Sequence, residues 1–111
     1  MRFLALIVAL AAMAGCSDRQ RELSLGQLAR QQSAYDGRDV ITTGVLRTHD
    51  QPRHYWIADP ADHRVELISQ EDLAPMVGLK LRVRGRFRYD PARGRRIQVD
   101  HVSVRMHTDA R

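Results

Sequence analysis

Six side chains in two stretches of this 111-residue chain have the types and spacing of a ligand site. An aromatic ring framed by guanidinium groups can stack on a base, a sugar or another ring while the arginines hold a phosphate or carboxylate. In the alternative, the one tryptophan is covered by the N-terminal helix or a loop, and the sequence favours this because lone tryptophans are usually mostly buried. The six candidates are His49, His54, Trp56, Arg93, Arg95 and Arg96.

A second candidate surface is a row of cations at alternate positions between Gly78 and Asp90. Alternate residues on one strand face are ~6.6 Å apart, so the five cations span ~26 Å. Such a row suits a polyanion or anionic lipid head groups. The alternative, which the sequence favours, is pairing with acidic residues on neighbouring strands together with solvation. The row consists of Lys80, Arg82, Arg84, Arg86 and Arg88.

No catalytic or metal-binding motif accompanies these residues. The chain has no nucleophile elbow, no phosphate-binding glycine loop and no arrangement of paired carboxylates. A metal site near His49 and His54, with Asp50 close by, lacks a third ligand, and the single cysteine excludes a multi-cysteine site. We therefore expect no catalytic residue, no metal, no cofactor and no enzymatic activity. The remaining histidines, also without metal-ligand spacing, are His63, His101 and His107.

Composition bounds the size of the domain and the class of its partners. The chain has 43% hydrophobic and 5% aromatic residues, so it forms one small domain with a modest core. The net charge is +5 and the sequence pI is about 10.3. This balance favours acidic partners, namely nucleic acid, anionic lipid head groups or acidic glycans, without choosing among them.

The first sixteen residues have the pattern of a targeting segment. Arg2 precedes an apolar run from position 3 to position 14, which is too short to span a bilayer. Small residues then lead to Cys16, and Ala14-Gly15-Cys16 resembles the lipobox of bacterial lipoproteins, although Met13 replaces the usual leucine. The resemblance implies cleavage before Cys16, attachment of fatty acyl chains such as palmitate to it, and anchoring in the cell envelope.

This resemblance also implies where the protein lies. It predicts a lipid-anchored protein that faces the periplasm, where nucleic acid is an unexpected partner. In lipoproteins an aspartate directly after the cysteine favours the inner membrane, so Ser17 favours the outer membrane, and Asp18 leaves both open. We divide the chain into a signal peptide at 1–15, a lipidated cysteine with a polar tether and short helix at 16–34, a domain at 35–107 and a tail at 108–111.

Strict alternation predicts that the basic row belongs to a half-buried strand. Gly85 interrupts its apolar face, which favours a sharp bend in the strand. The pattern also occurs earlier in the chain, where Gly44 takes the place of Gly85. We expect both stretches to be long, bent strands. Their inward residues are Val40, Thr42 and Leu46 in the first, and Leu79, Leu81, Val83, Phe87 and Tyr89 in the second.

Helices are predicted before the first strand and before the basic strand. Ser24 and Gln27 form a capping box that begins a helix from about Leu25 to Ala34. This helix is expected to cover the outward Ile41, Thr43 and Val45 of the first strand. A second, shorter helix is predicted to begin at Ser69, with Ile68 and Leu73 as its hydrophobic staple.

Three further strands complete the predicted domain. The segments 54–58 and 64–68 are separated by a tight turn at Asp59-Pro60. The last strand runs from Arg95 to Met106 after a hairpin turn at Asp90–Gly94. Its apolar series changes phase after Val99, which predicts a bulge at Asp100-His101. Its inward residues are Ile97, Val99, Val102, Val104 and Met106.

Five strands with a short helix between the third and fourth resemble the OB-fold, a Greek-key barrel. The resemblance is to OB-fold modules of exported bacterial proteins, whose function is not established, and more distantly to anticodon-binding-like OB domains. It implies a mainly β domain with a non-catalytic binding role, on the outer face of strands two and three and the adjoining loops. The residues that carry it are Tyr35-Asp-Gly37, Trp56-Ile-x-Asp59, Gly78, Val83-x-Gly85 and Ile97-x-Val99.

Three functions remain open at this level. The first is a lipid-anchored envelope protein that binds an anionic ligand or another envelope protein. The second is a nucleic-acid-binding OB module, which the predicted export disfavours. The third is a structural accessory that holds a partner at the membrane through a strand edge or the outward Ile41 and Val45.

Overall fold

The computed structural model describes residues 21–105 of the chain. The predicted signal peptide at 1–15, the lipidated Cys16, the start of the tether, Met106 and the tail at 108–111 lie outside the described residues. Among the described residues, none of the helices is both long and apolar enough to cross a bilayer.

Six β-strands form a single sheet that closes on itself. They are β1 (Arg21–Glu22), β2 (Asp39–His49), β3 (His54–Ala58), β4 (Arg64–Ile68), β5 (Lys80–Asp90) and β6 (Gly94–Val104). The strands lie in the order β1-β2-β3-β4-β6-β5, and a further pairing of β2 with β5 closes the five longer strands into a ring. The prediction of a mainly β domain with five principal strands is confirmed.

The two bent strands supply the centre of the core. β2 and β5 pair antiparallel, with Thr42 opposite Val83. Leu79 is an exception among the predicted inward residues, because it precedes β5 at the end of the ring and is 43% exposed. Tyr89, near the other end, is half-buried against the core. The confirmed inward residues, all 0% exposed, are Val40, Thr42, Leu46, Leu81, Val83 and Phe87.

The two mid-strand glycines lie where other atoms leave no room for a side chain. A Cβ atom at Gly44 would lie 2.9 Å from Cδ1 of Leu25. A Cβ atom at Gly85 would lie 2.8 Å from Cγ2 of Ile97 and would overlap the carbonyl oxygen of Gln98. These approaches let the core close tightly at the bends.

The predicted bulge in β6 is confirmed. Arg84 pairs with His101, whereas the next residue, Gly85, pairs with Val99. Asp100 is therefore the extra residue of the bulged strand. The missing side chain at Gly85 and the bulge in its partner strand occur at the same place, where β5 and β6 bend together.

The inward residues at the end of β6 depart from the prediction. Ile97 is fully buried and Val102 packs partly against the core, but Val104 is 41% exposed. The reason is the pairing: β4 accompanies β6 only from Arg96 to Gln98, so the rest of β6 has β5 as its only neighbouring strand among those described. The inward side chains at the C-terminal end of β6 are therefore less buried than those at its start.

Helix α1 (Leu25–Arg30) begins at the predicted capping box. The hydroxyl of Ser24 accepts the backbone N–H of Gln27 at 3.0 Å, and the side chain of Gln27 accepts the N–H of Ser24 at 2.9 Å. The single predicted helix is divided at Gln31, after which α2 (Gln32–Tyr35) begins.

The position of α1 differs from the prediction. Leu25 and Leu28 are buried in the central core instead of covering the outer face of β2. Space for this packing exists because Gly44 has no side chain to meet Leu25. The outer side of β2 is therefore left half-buried at its three predicted outward positions, Ile41, Thr43 and Val45.

The predicted tether contributes a strand where it approaches the domain. Arg21 and Glu22 pair in parallel with Val40 and Ile41 of β2. The N–H of the next residue, Leu23, donates to the carbonyl of Ile41 at 2.8 Å. The last two residues of the predicted polar tether thus belong to the sheet.

The short helix before β5 begins later than predicted. It is a 3-10 turn at Ala74–Met76, and the Asp72 carboxylate accepts the N–H of its first residue at 3.0 Å. The predicted staple does not form, because Ile68 is 47% exposed whereas Leu73 is buried. The side chain of Ser69 accepts a backbone N–H within the preceding loop, so it caps a turn and not the helix.

The predicted turn between β3 and β4 is confirmed, and it fixes the start of β4. The N–H of Asp62 donates to the carbonyl of Asp59 at 2.8 Å. The Asp59 carboxylate accepts the backbone N–H of His63 at 2.8 Å and lies 2.8 Å from its Nδ1. Burial raises the pKa of the Asp59 carboxyl, but the hydrogen bonds from His63 outweigh it, so the pKa lies below its ordinary value.

Candidate functional site

Strand β3 directs Trp56 outward, as alternation predicts. Ile57 is fully buried in the core, and the neighbouring Trp56 lies on the opposite side of the strand. Trp56 is half-buried and lines an open cavity of about 280 Å³ on the outer face of β3 and β4. The sequence favours a largely buried tryptophan under the N-terminal helix or a loop; in the structure α2 reaches the edge of this cavity, where Gln32 contacts Arg95. The cavity is lined by His54, Trp56, Arg64, Glu66, Gly94 and Arg95.

The aromatic rings of β2 and β3 form a short row that leads to Trp56. His49 lies opposite His54 in the β2–β3 register, with 6.3 Å between their ring centroids. The His54 ring lies 5.2 Å from that of Trp56, at an interplanar angle of 31°. The structure thus brings these three candidate residues together, with His49 as the last residue of β2.

The histidines of this row are fixed by the β2–β3 loop. Nδ1 of His49 lies 2.8 Å from the carbonyl oxygen of Asp50, and Nδ1 of His54 lies 2.9 Å from that of Pro52. A carbonyl oxygen only accepts, so the Nδ1 atom of each ring carries the proton. In the neutral form, Nε2 of each ring is then available to accept a hydrogen bond from a ligand.

Arg64 lies over the Trp56 ring. Its Cζ atom is 5.2 Å from the ring centroid, within the range of a cation–π interaction. Asp62 holds the guanidinium through two hydrogen bonds, from Nε at 3.1 Å and Nη2 at 3.3 Å. The tryptophan is therefore flanked by a cation whose position is set by the β3–β4 turn.

Arg95 joins three parts of the fold at the edge of the cavity. Its Nε donates to the carbonyl oxygen of Arg64 at 3.1 Å, and its Nη1 donates to the side chain of Gln32 in α2 at 2.9 Å. A guanidinium has five N–H donors, so these two bonds leave about three for a ligand. Arg95 is thus a positioned anion-binding group.

Glu66 supplies a carboxylate to the same cavity. It pairs with Trp56 across the β3–β4 hairpin and with Arg96 across β4 and β6. No cation between residues 22 and 105 lies within 4.0 Å of its carboxylate. Its oxygens are therefore available to accept hydrogen bonds from ligand hydroxyl or amide groups.

Arg93 and Arg96 do not join Arg95 at the cavity. Arg93 is exposed in the β5–β6 turn, where its backbone N–H donates to Asp90. Arg96 points to the other side of β6, and its Nη1 lies 3.6 Å from the Asp90 carboxylate, which is an ion pair but too long for a hydrogen bond. The prediction that all three arginines line one loop surface is fulfilled by Arg95 alone.

Arg64, Glu66 and Arg47 are site residues that the sequence reasoning missed. Val65 and Leu67 are buried, so alternation along the predicted strand at 64–68 places Arg64 and Glu66 outward. Alternation along one strand does not give the register between β3 and β4, which brings these residues beside Trp56. That register depends on the length of the β3–β4 turn. Arg47 pairs directly with Trp56 across β2 and β3 and is exposed.

A second, larger cavity lies under the β2–β3 loop. Its volume is about 580 Å³, and it is bordered by His49, Tyr55 and Val77. Arg53 and Asp50 form an exposed ion pair at its edge, 2.9 Å apart, and the Asp50 carboxylate raises the pKa of the Arg53 guanidinium. We consider the smaller cavity the better site, because an aromatic platform, fixed cations and a free carboxylate converge there.

The basic row on β5 faces solvent along its whole length. Arg82 is paired with Glu22 and Arg86 with Asp39, both at 3.1 Å. Cross-strand pairing, the alternative that the sequence favours, thus accounts for two of the row's five cations. No group of three metal-ligating side chains occurs among residues 21–105.

Comparison with known proteins supports the fold and leaves the function open. No protein-family model matches the chain, and no curated protein matches it. The S. pombe Stn1-Ten1 complex, whose proteins are OB-folds, has a TM-score of 0.58 at 15% identity, over 84% of this chain and 83% of that one. A DUF3299 family protein from Pseudomonas aeruginosa PAO1 has a TM-score of 0.58 at 14% identity, over 82% of this chain and 99% of the other.

The third similarity is to part of a larger protein. A chain from Leishmania major Friedlin assigned as an aspartyl-tRNA synthetase has a TM-score of 0.56 at 10% identity, and the match covers 88% of this chain but only 24% of that one. At these identities the likeness is one of fold. The chain is therefore similar to OB-fold proteins in its architecture, and its function must be argued from its own residues.

Proposed function

We propose that this chain is an OB-fold binding module of the cell envelope, anchored by lipid on Cys16, and that it binds an anionic ligand carrying a ring without catalysing a reaction. The single observation that carries the binding role is the outward Trp56, flanked by Arg64 and by the positioned Arg95. The similarity to OB-fold proteins supports this choice of surface, because OB-folds bind oligonucleotides and oligosaccharides on the corresponding strands.

The chemistry of the cavity favours an acidic sugar. The indole of Trp56 offers a flat apolar surface for a ring, and Arg95 retains N–H donors for a carboxylate or phosphate. Glu66 accepts hydrogen bonds from hydroxyl groups, which a sugar has in number, and would repel a bare polyanion. A cavity of about 280 Å³ is near the lower limit for small-molecule sites, so it suits one sugar unit of a longer ligand.

Tryptophan fluorescence gives a direct test, since Trp56 is the only tryptophan in the chain. The protein is titrated with glucuronic acid and glucose 6-phosphate, and with glucose as the neutral counterpart. We expect the acidic sugars to change the emission of Trp56 and to bind at least about tenfold more tightly than glucose, as one charge-assisted hydrogen bond predicts. Equal responses to charged and neutral sugars would contradict the proposal.

Two arginines of the same loop region provide a matched pair of variants. Arg95→Ala should weaken the binding of the acidic sugars about tenfold or more, whereas Arg93→Ala, in the exposed turn, should not. Trp56→Phe retains a ring and tests stacking, with binding followed by calorimetry because the fluorophore is lost. If Arg93→Ala and Arg95→Ala have equal effects, the cavity is not the site.

Nucleic acid is a second candidate ligand for the same surface. Arg47 pairs with Trp56 and extends the cationic surroundings of the ring, and one structural neighbour is assigned as a tRNA synthetase. Titration with a single-stranded oligonucleotide distinguishes the two ligands. A steep loss of oligonucleotide affinity with salt, together with no response to acidic sugars, would favour nucleic acid.

The lipid anchor is tested independently of the cavity. Mass spectrometry of the protein purified from membranes is expected to show acyl chains on Cys16. A Cys16→Ser variant should be absent from the membrane fraction. An unmodified Cys16 in membrane-purified protein would overturn the anchoring part of the proposal while leaving the binding role open.

A further inference from the structure

The outer side of β5 presents a row of positive charge, which we call the basic face. The side chains of β5 alternate strictly between buried and exposed, and the exposed ones are all cations. Arg96 of β6 lies directly opposite Arg88, but its side chain is largely buried and forms an ion pair with Asp90, so it is not part of this face. The basic face consists of Lys80, Arg82, Arg84, Arg86 and Arg88.

Much of the charge on this face is not neutralised within the described residues. Arg82 and Arg86 have acidic partners in β1 and β2. No carboxylate between residues 21 and 105 lies within 4.0 Å of Lys80, Arg84 or Arg88. Like charges on neighbouring strand positions repel one another, so an external anionic surface would stabilise this arrangement.

Apolar side chains lie among these cations. Ile41 of β2 pairs with Arg84, and Val45 pairs with Lys80, and both apolar residues are only half-buried. Long arginine and lysine side chains have apolar stems and charged ends. Cations interspersed with modest apolar groups match the chemistry of a lipid head-group layer better than that of a single small anion.

The chain enters the fold beside this face. β1 begins at Arg21 and pairs with β2, which in turn pairs with β5, so β1 and β5 are separated by ~10 Å. The contact of Glu22 with Arg82 bridges this distance on the outer side. Between Cys16 and Arg21 the chain can extend no further than ~17 Å, so a lipid on Cys16 would hold β1, and with it the basic face, close to the bilayer.

We propose that the basic face lies against the anionic head groups of the bilayer that holds the anchor. This orientation rests on the proposed anchoring at Cys16. It leaves the Trp56 cavity, on β3 and β4, free to meet a ligand. Each cation near an anionic bilayer changes the binding equilibrium about fivefold, so three unneutralised cations suffice to orient a protein that is already tethered.

Lys80 is the only lysine of the chain, so it reports on the basic face by itself. The protein purified from membranes is reconstituted into vesicles of phosphatidylcholine alone, or of phosphatidylcholine with an equal part of phosphatidylglycerol. The rate at which an amine-reactive acetylating reagent modifies Lys80 is measured by peptide mass spectrometry. We expect modification to be several-fold slower in the phosphatidylglycerol vesicles at low salt, and salt should abolish the difference.

Charge-reversal variants show whether the face itself causes the protection. Arg84→Glu with Arg88→Glu should remove the protection of Lys80, because loss of two cations shifts the equilibrium by at least about 25-fold. Arg30→Glu with Arg53→Glu makes the same change in net charge outside the basic face and the Trp56 cavity. Circular dichroism checks that each variant is folded, and protection retained in the first variant would overturn the proposal.

The remaining outcomes separate this proposal from the anchoring itself. If Cys16 proves to carry no acyl chain, the anchoring fails, and cosedimentation of the protein with the same vesicles then tests the basic face directly. Equal Lys80 modification in both kinds of vesicle, with acyl chains present, overturns the orientation alone. If an added single-stranded oligonucleotide slows the modification of Lys80 and phosphatidylglycerol does not, the orientation on the bilayer is overturned. The basic face would then be a nucleic acid surface.

Discussion

The guanidinium of Arg64 lies over the indole of Trp56, with its Cζ atom 5.2 Å from the ring centroid. The two residues belong to adjacent strands, and the β3–β4 turn sets their relation. Asp62, in that turn, holds Arg64 in place through both carboxylate oxygens. The geometry of one short turn thus determines how much of the ring a ligand can reach.

Removal of the arginine side chain should uncover the ring. In Arg64→Ala we expect acrylamide to quench Trp56 fluorescence more strongly than in the wild-type protein. The free energy of unfolding should change by less than about 1 kcal/mol, since the Arg64 side chain is exposed. Arg53→Ala, at the neighbouring loop, should leave quenching unchanged, and equal quenching in all three proteins would show that Arg64 does not shield the ring.

Loss of Arg95 should destabilise the fold as well as weaken binding. Its guanidinium links β6 to the carbonyl of Arg64 and to Gln32 of α2. Arg95→Ala is expected to lower the free energy of unfolding by about 2 kcal/mol in urea denaturation, because two charge-assisted hydrogen bonds are lost. Arg93→Ala should change it by less than about 0.5 kcal/mol. A neutral effect of Arg95→Ala would mean that these bonds exchange freely with water.

A methyl group at position 85 should strain the bend of β5. In Gly85→Ala the new Cβ would overlap the carbonyl oxygen of Gln98 and approach Cγ2 of Ile97. We expect a loss of about 3 kcal/mol in the free energy of unfolding, at the upper end for an overpacked core site. Ser103→Ala, an exposed change on β6, serves as the control in the same thermal unfolding series. A loss below about 1 kcal/mol would show that the two strands separate easily here.

The buried hydroxyl of Thr42 should be dispensable. Thr42 is 0% exposed, and its Oγ1 atom has no hydrogen-bond partner in the structure. Thr42→Val replaces this hydroxyl with a methyl group of similar size and should raise the free energy of unfolding by about 1 kcal/mol. Thr43→Val, on the half-buried outer side, should have little effect. Destabilisation by Thr42→Val would indicate that a buried water satisfies the hydroxyl.

The Asp59 carboxylate should make stability depend on pH in the acidic range. Its pKa in the fold lies below the ordinary value of 3.8 because His63 donates to it. The carboxylate therefore stabilises the fold fully above pH 3.8, and this contribution is lost as the pH falls through the lower pKa of the folded protein.

Unfolding curves across pH measure this contribution. Asp59→Asn should be less stable than the wild-type protein by about 1 kcal/mol at neutral pH, and the two proteins should converge in strong acid. Asp100→Asn, at the exposed bulge, should keep the wild-type pH dependence. Parallel curves for Asp59→Asn and the wild-type protein at all pH values would exclude this role of Asp59.

Alternation and capping predicted the local structure of this fold well. The inward side chains of β2 and β5 were predicted because a period of two fixes the faces of a strand once one face is apolar. The capping box at Ser24 was predicted because its two hydrogen bonds join residues three positions apart. The bulge at Asp100 was predicted because the alternation of apolar residues changes phase between Val99 and Val102.

Relations between distant segments were predicted less well. The apolar residues of α1 are compatible with either side of β2, and only the space left at Gly44 decides that Leu25 enters the core. Ile68 and Leu73 have the spacing of a staple, but the helix begins later, so the two residues fall on different surfaces. The neighbours of Trp56 depend on strand register, which a single strand pattern does not contain.

The pairing that closes the ring has a consequence for the rate of folding. β2 and β5 are far apart in sequence: Asp39 and Arg86, which are in contact, are 47 positions apart. Their pairing must wait until the intervening hairpin and turn have brought the ends together, which costs loop entropy before any contact compensates for it. We therefore expect the chain to fold in milliseconds to seconds, as other small domains with mostly non-local pairing do.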